Sequence, residues 1–351
     1  MRNLLLVILA IVTLFANCKK DDPQTPLDVT LKPGVFIVNQ GTLSASNASL
    51  SYFDNSAGKL YNNLFYDVNT IKLGDVAQSI TMHKNNAFVV VNNSGVIYAI
   101  DKITAKIKGT ISNLVSPRHM LVVNDQKAYV TDLYSLKVAI VNPATYEVTG
   151  SISLGRTSEE LALVGEKVFV ANWLDINQEP VINDRIMIID SNADTVSGSI
   201  KVGIEPISLV VDKNSHLWVL CTGGYNFVEK PSLWKIDGNT FDILDTITFT
   251  DLYSYPSNLE INGTGDTLFY LYKGIYKMPT NATELPENPF IMENNNREFT
   301  FLGVDPNNGD LYASNPLDNL SPGIVYRYNK KGSFISQINT GIVPAAFGFN
   351  F

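Results

Sequence analysis

The residues able to do chemistry are few. Three histidines and two cysteines in 351 residues are too few for a disulfide framework or a His/Cys metal cluster. Glu159–Glu160, with Glu205 further along, could supply a general acid and base, because carboxyls in unlike environments take different pKa values. His83, His119 and His216 lie far apart in the chain and have no shared motif. The run from Asp305 to Asp310 has oxygens at calcium-loop spacing, but Pro316 stands where the closing Glu belongs, so a tight hairpin turn is expected. A glycine-rich phosphate loop and a nucleophile elbow are both missing.

A second kind of chemistry recurs more often. Amides, carboxylates and aromatic rings follow or precede short apolar runs, as in Asn39–Gln40, Asn92–Asn93, Asp132–Leu133–Tyr134, Asn172–Trp173 and Gly223–Gly224–Tyr225–Asn226–Phe227. Rings that cover an apolar face, with amides that pair a polar rim, suit a broad, amide-bearing small ligand. The expected ligand set is Gln40, Asn92, Asn93, Arg118, Asp132, Tyr134, Glu159, Trp173, Glu205, Tyr225, Tyr255 and Tyr272. Trp173 leads it because a long insertion, 172–184, begins there. Neither a catalytic residue, a metal nor a cofactor is expected. Taken singly these residues are ordinary turn chemistry, and they form a site only if the fold gathers them.

The elements that could gather them are strands. The chain is 45% hydrophobic and 17% charged, with 23 Gly, 16 Pro, 16 Tyr and 17 Phe, the profile of many short strands joined by turns. A formal charge of −8 argues against a nucleic-acid partner, which needs a basic face.

Three apolar segments recur in fixed order. The first occupies 76–82, 117–123, 158–164, 206–212, 256–262, 299–305 and 344–350. The second starts at 34, 87, 128, 168, 217, 268 and 311. The third usually ends in Asp or Asn, as at Asp54, Asp101, Asn142, Asp190 and Asp237. A fourth, more variable run often follows. Seven copies over 34–351 mean about 45 residues per repeat, the spacing of β-propeller blades. The fold class expected is all-β, a seven-bladed β-propeller. The first segment is missing before residue 34 and present in excess at 344–350, so the carboxyl-terminal strand should complete the first blade and leave no open sheet edge. Turns entering the inner strands, and turns between second and third strands, then share one face. Trp218, Trp234 and Cys221 fall within strand runs and should be core, the thiol inert.

The amino terminus reads as an address. Residues 4–15 are apolar apart from Thr13, too short for a membrane anchor and right for a signal-peptide core. Leu14–Phe15–Ala16–Asn17–Cys18 resembles a bacterial lipoprotein box with Cys18 as the acylated residue. Lys19–Lys20–Asp21–Asp22 resembles the export tag of lipoproteins carried to the outer face of an outer membrane. The expected domains are a signal peptide 1–17, a lipidated tether 18–33 and the propeller 34–351, attached to the membrane through lipid only.

Ala128–Tyr129–Val130–Thr131 with Val138–Ala139–Ile140–Val141–Asn142 resembles the YVTN-type, surface-layer-like propeller repeat. Residues 34–41, 73–79, 91–97 and 341–347 resemble the cobalamin-capturing surface lipoproteins of outer-membrane vitamin B12 uptake systems. That resemblance implies a surface protein that binds a corrinoid without enzymatic activity and passes it to a TonB-dependent transporter barrel. The ligand set above comes from topology, not from a family motif. Two other readings stay open: a propeller scaffold that binds a protein partner or glycan, and a hydrolase or lyase whose carboxylates, or a His and a carboxylate, meet in one pocket.

Overall fold

The structure, a computed structural model, describes residues 25–173, 183–294 and 297–351. The expected signal peptide and Cys18 lie outside the described residues. Seven four-stranded antiparallel sheets are arranged in a ring around an axis. Blade 1 combines β1 (Gly34–Asn39), β2 (Ser49–Asp54) and β3 (Lys59–Tyr61) with the last strand, β28 (Pro344–Asn350). Blade 2 is β4 (Ala77–His83), β5 (Asn86–Val91), β6 (Val96–Asp101) and β7 (Ile107–Ile111); blade 3 is β8 (Pro117–Asn124), β9 (Lys127–Asp132), β10 (Lys137–Asn142) and β11 (Glu147–Ser153). Blade 4 is β12 (Leu161–Val164), β13 (Lys167–Ala171), β14 (Arg185–Asp190) and β15 (Thr195–Lys201); blade 5 is β16 (Pro206–Val211), β17 (His216–Cys221), β18 (Ser232–Asp237) and β19 (Ile243–Thr248). Blade 6 is β20 (Ser257–Ile261), β21 (Thr267–Leu271), β22 (Gly274–Pro279) and the two-residue β23 (Ile291–Met292); blade 7 is β24 (Phe301–Val304), β25 (Leu311–Asn315), β26 (Pro322–Tyr328) and β27 (Phe334–Ile342).

Position in the blade explains composition. The second strands β1, β5 and β17 are almost wholly buried, because each is sandwiched between neighbouring blades, and each carries a continuous apolar run of four or five residues. The outer strand β15 alternates instead, with one face toward water, and β11 is mostly exposed. Trp218 and Cys221 are fully buried, and Trp234 packs against the core; burial raises the pKa of the Cys221 thiol.

The Asp or Asn that closes the third strand is a turn device. In Asp54, Asp101, Asn142, Asp190 and Asp237 the side-chain Oδ1 accepts the backbone N–H groups two and three residues on, an Asx turn repeated from blade to blade. The Asp305 run makes a related turn, with Oδ1 accepting from Asn307 and Asn308.

Closure follows the predicted path. β28 pairs antiparallel with β1 from Gly34↔Asn350 to Asn39↔Pro344. Phe347 and Phe349 pack on Tyr312 of blade 7, with centroids 6.0 and 5.4 Å away. The Asn350 amide donates to the Lys102 carbonyl in blade 2 at 2.9 Å.

Two features differ from the strand-only reading. A short helix, α1 (Leu64–Asn69), follows β3 and buries Leu64, Phe65 and Val68; six residues are too few to show a helical period. The last part of the expected tether is also not free in solvent. Val29 and Leu31 are buried against blades 1 and 2, and the N–H groups of Leu27 and Leu31 donate to the Asp67 and Ile103 carbonyls. Among the described residues no helix is long and apolar enough to cross a membrane.

Removing residues 344–351 unpairs one full edge of β1 and opens the ring. The truncated protein is expected to lose its single cooperative transition in differential scanning calorimetry, and an unchanged melt would refute the closure.

Candidate functional site

The inner strands carry a repeated irregularity at the end where they enter. The register slips between Ala77 and Ser79, Pro117 and Met120, Pro206 and Ser208, and Ser257 and Glu260, and opposite Ala345 in blade 1. In blade 4 the Ala171 amide donates to the Glu160 carbonyl while its own carbonyl accepts from Glu159 N–H, so two residues again oppose one. Such bulges re-aim side chains, and here they aim them at the axis. Gln78, Arg118, His119, Glu159, Glu160, Ile207, Asn258 and Ala345 all line one axial cavity of about 580 Å³.

The cavity has two unlike walls. The third residue of each inner segment contributes in turn Gln78, His119, Glu160, Ser208, Asn258, Phe301 and Ala346, polar through blades 2 to 6 and apolar in blades 7 and 1. Phe347 and Phe349 widen the apolar side, and Glu260 adds a further carboxyl on the polar side.

Arg118 organises the polar wall. Its Nε and Nη2 donate to Glu159 Oε2 and Oε1 at 2.8 and 2.7 Å, and its Nη1 donates to Gln78 Oε1 at 2.8 Å. The two ionic side chains are only 13% and 9% exposed, so this forked pair is nearly desolvated. His119 Nε2 lies 3.3 Å from Glu159 Oε1, and the Arg118 guanidinium sits 5.3 Å from the Trp173 ring centroid. Burial by itself would raise the Glu159 pKa; the Arg118 charge and the His119 and Arg118 hydrogen bonds outweigh it and hold the carboxyl at about 2.

The other two carboxyls go the opposite way. Burial pushes Glu160 up to about 7, although its Oε2 accepts the Leu209 N–H at 2.7 Å. Burial, with the Glu160 charge added, pushes Glu260 up to about 8.

Five of the twelve expected ligand residues line this cavity: Gln40, Arg118, Glu159, Trp173 and Tyr255. Others serve the scaffold. Asn92 donates to Ser116 Oγ and the Pro117 carbonyl, Asn93 donates to Asp75, and Asp132 accepts the N–H groups of Ser116, Tyr134 and Ser135. Glu205 is buried and accepts from Thr222 Oγ1 at 2.9 Å. Tyr134 and Tyr225 are exposed on the entrance face without reaching the cavity. Tyr272 belongs to a separate groove between blades 5 and 6, edge-on to Phe249 and tilted against Tyr276.

Glu260 escaped the sequence reading. Its signal was there: the equivalent positions are Ile80, Leu121, Ala162, Val210, Gly303 and Gly348, so it is the charged residue in an otherwise apolar column. His119 and Glu159 do meet in one pocket, the geometry an acid–base enzyme would need, but two guanidinium bonds already occupy that carboxylate. Glu160 and Glu260 remain as groups that can take up or accept a proton. Among the described residues no cluster of three His, Cys, Asp or Glu could hold a metal ion.

Comparison with known proteins agrees with this architecture. A family described as a domain of unknown function, DUF5074, matches residues 33–350. The chain belongs to that family. None of the curated proteins matches it in sequence. Among solved structures, a quinonprotein alcohol dehydrogenase-like protein from Bacteroides thetaiotaomicron superposes with a TM-score of 0.71 at 14% identity, over 90% of this chain and 78% of the other. Hydrazine synthase of Kuenenia stuttgartiensis gives 0.60 at 13%, over 77% of this chain and 88% of that one. Apo AztD from Citrobacter koseri gives 0.58 at 10%, over 91% and 98%. At such identities the likeness is one of fold.

Two outcomes follow from the wall's electrostatics. Arg118→Met strands the Glu159 charge and is expected to cost about 3–5 kcal/mol by chemical denaturation, most of it regained in R118M/E159Q. Because the Glu260 pKa is higher folded than unfolded, stability contributed at low pH is lost as pH rises from about 4.5 through about 8. Glu260→Gln should therefore melt with the wild type at pH 4 and several degrees higher at pH 9; an equal shift at both pH values would contradict the assignment.

Proposed function

We propose that this protein is a lipid-anchored surface protein that binds cobalamin or a related corrinoid at the entrance face and delivers it to a TonB-dependent outer-membrane transporter. The observation that carries the reading is the aromatic rim on that face. Tyr225 and Tyr253 are 74% and 72% exposed, and Tyr134, Phe227 and Tyr255 are exposed with them. Phe227 and Tyr253 meet edge to face at 5.3 Å. Exposed rings above a polar channel suit a broad ligand with a flat face and an amide-bearing periphery. The 580 Å³ cavity is smaller than a whole cobalamin, so the macrocycle would lie across the mouth while its amide arms reach Gln40 and Gln78. Binding of this kind makes and breaks no bond and needs no cobalt ligand.

The lipid placement is compatible with that role. β1 starts beside the end of β28, on the face opposite the mouth, so a chain anchored at Cys18 would hold the mouth away from its own attachment. Leu43, Val115, Leu317 and Leu320 are also exposed on the entrance face, which favours, as a second reading, a scaffold that docks a protein partner there with or without corrinoid.

Isothermal titration with cyanocobalamin tests the first reading. Binding at micromolar protein is expected, weakened roughly tenfold in Tyr225→Ala/Tyr255→Ala if each ring contributes about 0.5–1.5 kcal/mol. Absence of heat from the wild type would retire it, and transporter capture without added corrinoid would favour the scaffold.

A further inference from the structure

Two of the three carboxyls that line the axial cavity have no cationic partner among the described residues. Arg118 is the permanently cationic residue of the described lining, and its three donor nitrogens are already engaged by Glu159 and Gln78. The imidazole of His119 is bonded to the same Glu159. Glu160 holds the Leu209 N–H and a long 3.4 Å contact from Ser208 Oγ. Glu260 faces the cavity with neither an ion pair nor a side-chain hydrogen bond to any described residue. Next to Glu260, across the boundary between blades 6 and 7, the wall becomes aromatic: Phe301 is followed around the ring by Phe347 and Phe349. A half-open space with two carboxyls that no described cation pairs on one side and ring faces on the adjoining side is built to take a cation, whose charge would favour ionised carboxyls.

We propose that the axial cavity is a binding site for a small organic cation, a protonated amine carried on a flat apolar body. The ammonium supplies three donors and one positive charge, which the Glu160 and Glu260 carboxyls accept, and their partial burial strengthens that pairing over one in open water. The apolar body lies along the phenylalanine rings, whose faces also attract an ammonium. An anionic ligand would keep both carboxyls protonated and gain no charge pairing from them. A neutral ligand of the same shape keeps the ring contacts and forfeits the charge pairing. The site lies below the mouth and does not rest on the corrinoid reading, so either can fail alone.

Tryptamine and tryptophol make a matched pair, with the same indole and chain and a hydroxyl in place of the ammonium. Calorimetric titration of the full chain at pH 8 is expected to show tryptamine binding at least tenfold more tightly than tryptophol. In Glu160→Gln/Glu260→Gln that advantage should shrink below threefold while tryptophol is unaffected. A melting curve checks that the double variant is folded; if it is not, Glu260→Gln alone serves, with at least a threefold loss of the advantage expected. Equal binding of the two probes to the wild type, no binding of either at millimolar concentration, or an advantage that survives in the folded variant would overturn the proposal.

Discussion

The pairing of β28 with β1 is the constraint on which the rest depends. A single blade exposes apolar residues on both of its faces, so each blade is stable only between two neighbours. Seven blades in a row would leave two bare faces and an open sheet edge. The carboxyl-terminal strand removes all three at once. It hydrogen-bonds along the whole of β1, places Phe347 and Phe349 against Tyr312 of blade 7, and reaches Lys102 of blade 2 through Asn350. Because the joined residues are about as far apart in the chain as they can be, this contact carries the largest loop-closure cost in the molecule.

Closure also fixes the axial cavity, because it seats the apolar wall. Ala345, Ala346, Phe347 and Phe349 come from the strand that locks the ring, and they face the polar wall of blades 2 to 6. The turns that enter the inner strands are held with some strain. Val76, Glu205 and Val343 each precede an inner strand with φ of 53°, 54° and 53°, a left-handed conformation that costs a residue with a Cβ on the order of 1 kcal/mol or more. Each carbonyl accepts a backbone N–H from the residue just beyond the next strand, Asn92, Thr222 or Gln40. That bond, made in blades 1, 2 and 5, offsets the strain and keeps the bulged residues there aimed inward.

A sevenfold backbone thus carries side chains with no such symmetry. Carboxyls survive near the axis in two ways. Glu159 is neutralised by a forked arginine, while Glu160 and Glu260 keep their protons toward neutral pH because burial disfavours their charge. The apolar arc breaks the polarity of the ring and gives the channel a direction across its width, which a symmetric pore would not have.

Much of this was legible in the residues. Strand runs, the number of blades, the offset that demands closure, the Asx turns at Asp101 or Asp237 and the burial of Trp218 and Cys221 all follow from local pattern, because alternation, turn chemistry and apolar content act over a few residues. The use of each polar tip did not follow. Asn92 and Asp132 look like ligand groups by type, yet neighbouring turns claim their hydrogen bonds; Tyr272 is carried into a different groove; Glu260 looks like a strand residue and ends at the axis. Hydrogen-bond demand from an adjacent blade, and a bulge that turns a side chain by one position, are set by residues distant in sequence. For that reason the chain alone determined the propeller and its closure, and only the assembled ring decided which of its polar residues meet at the centre.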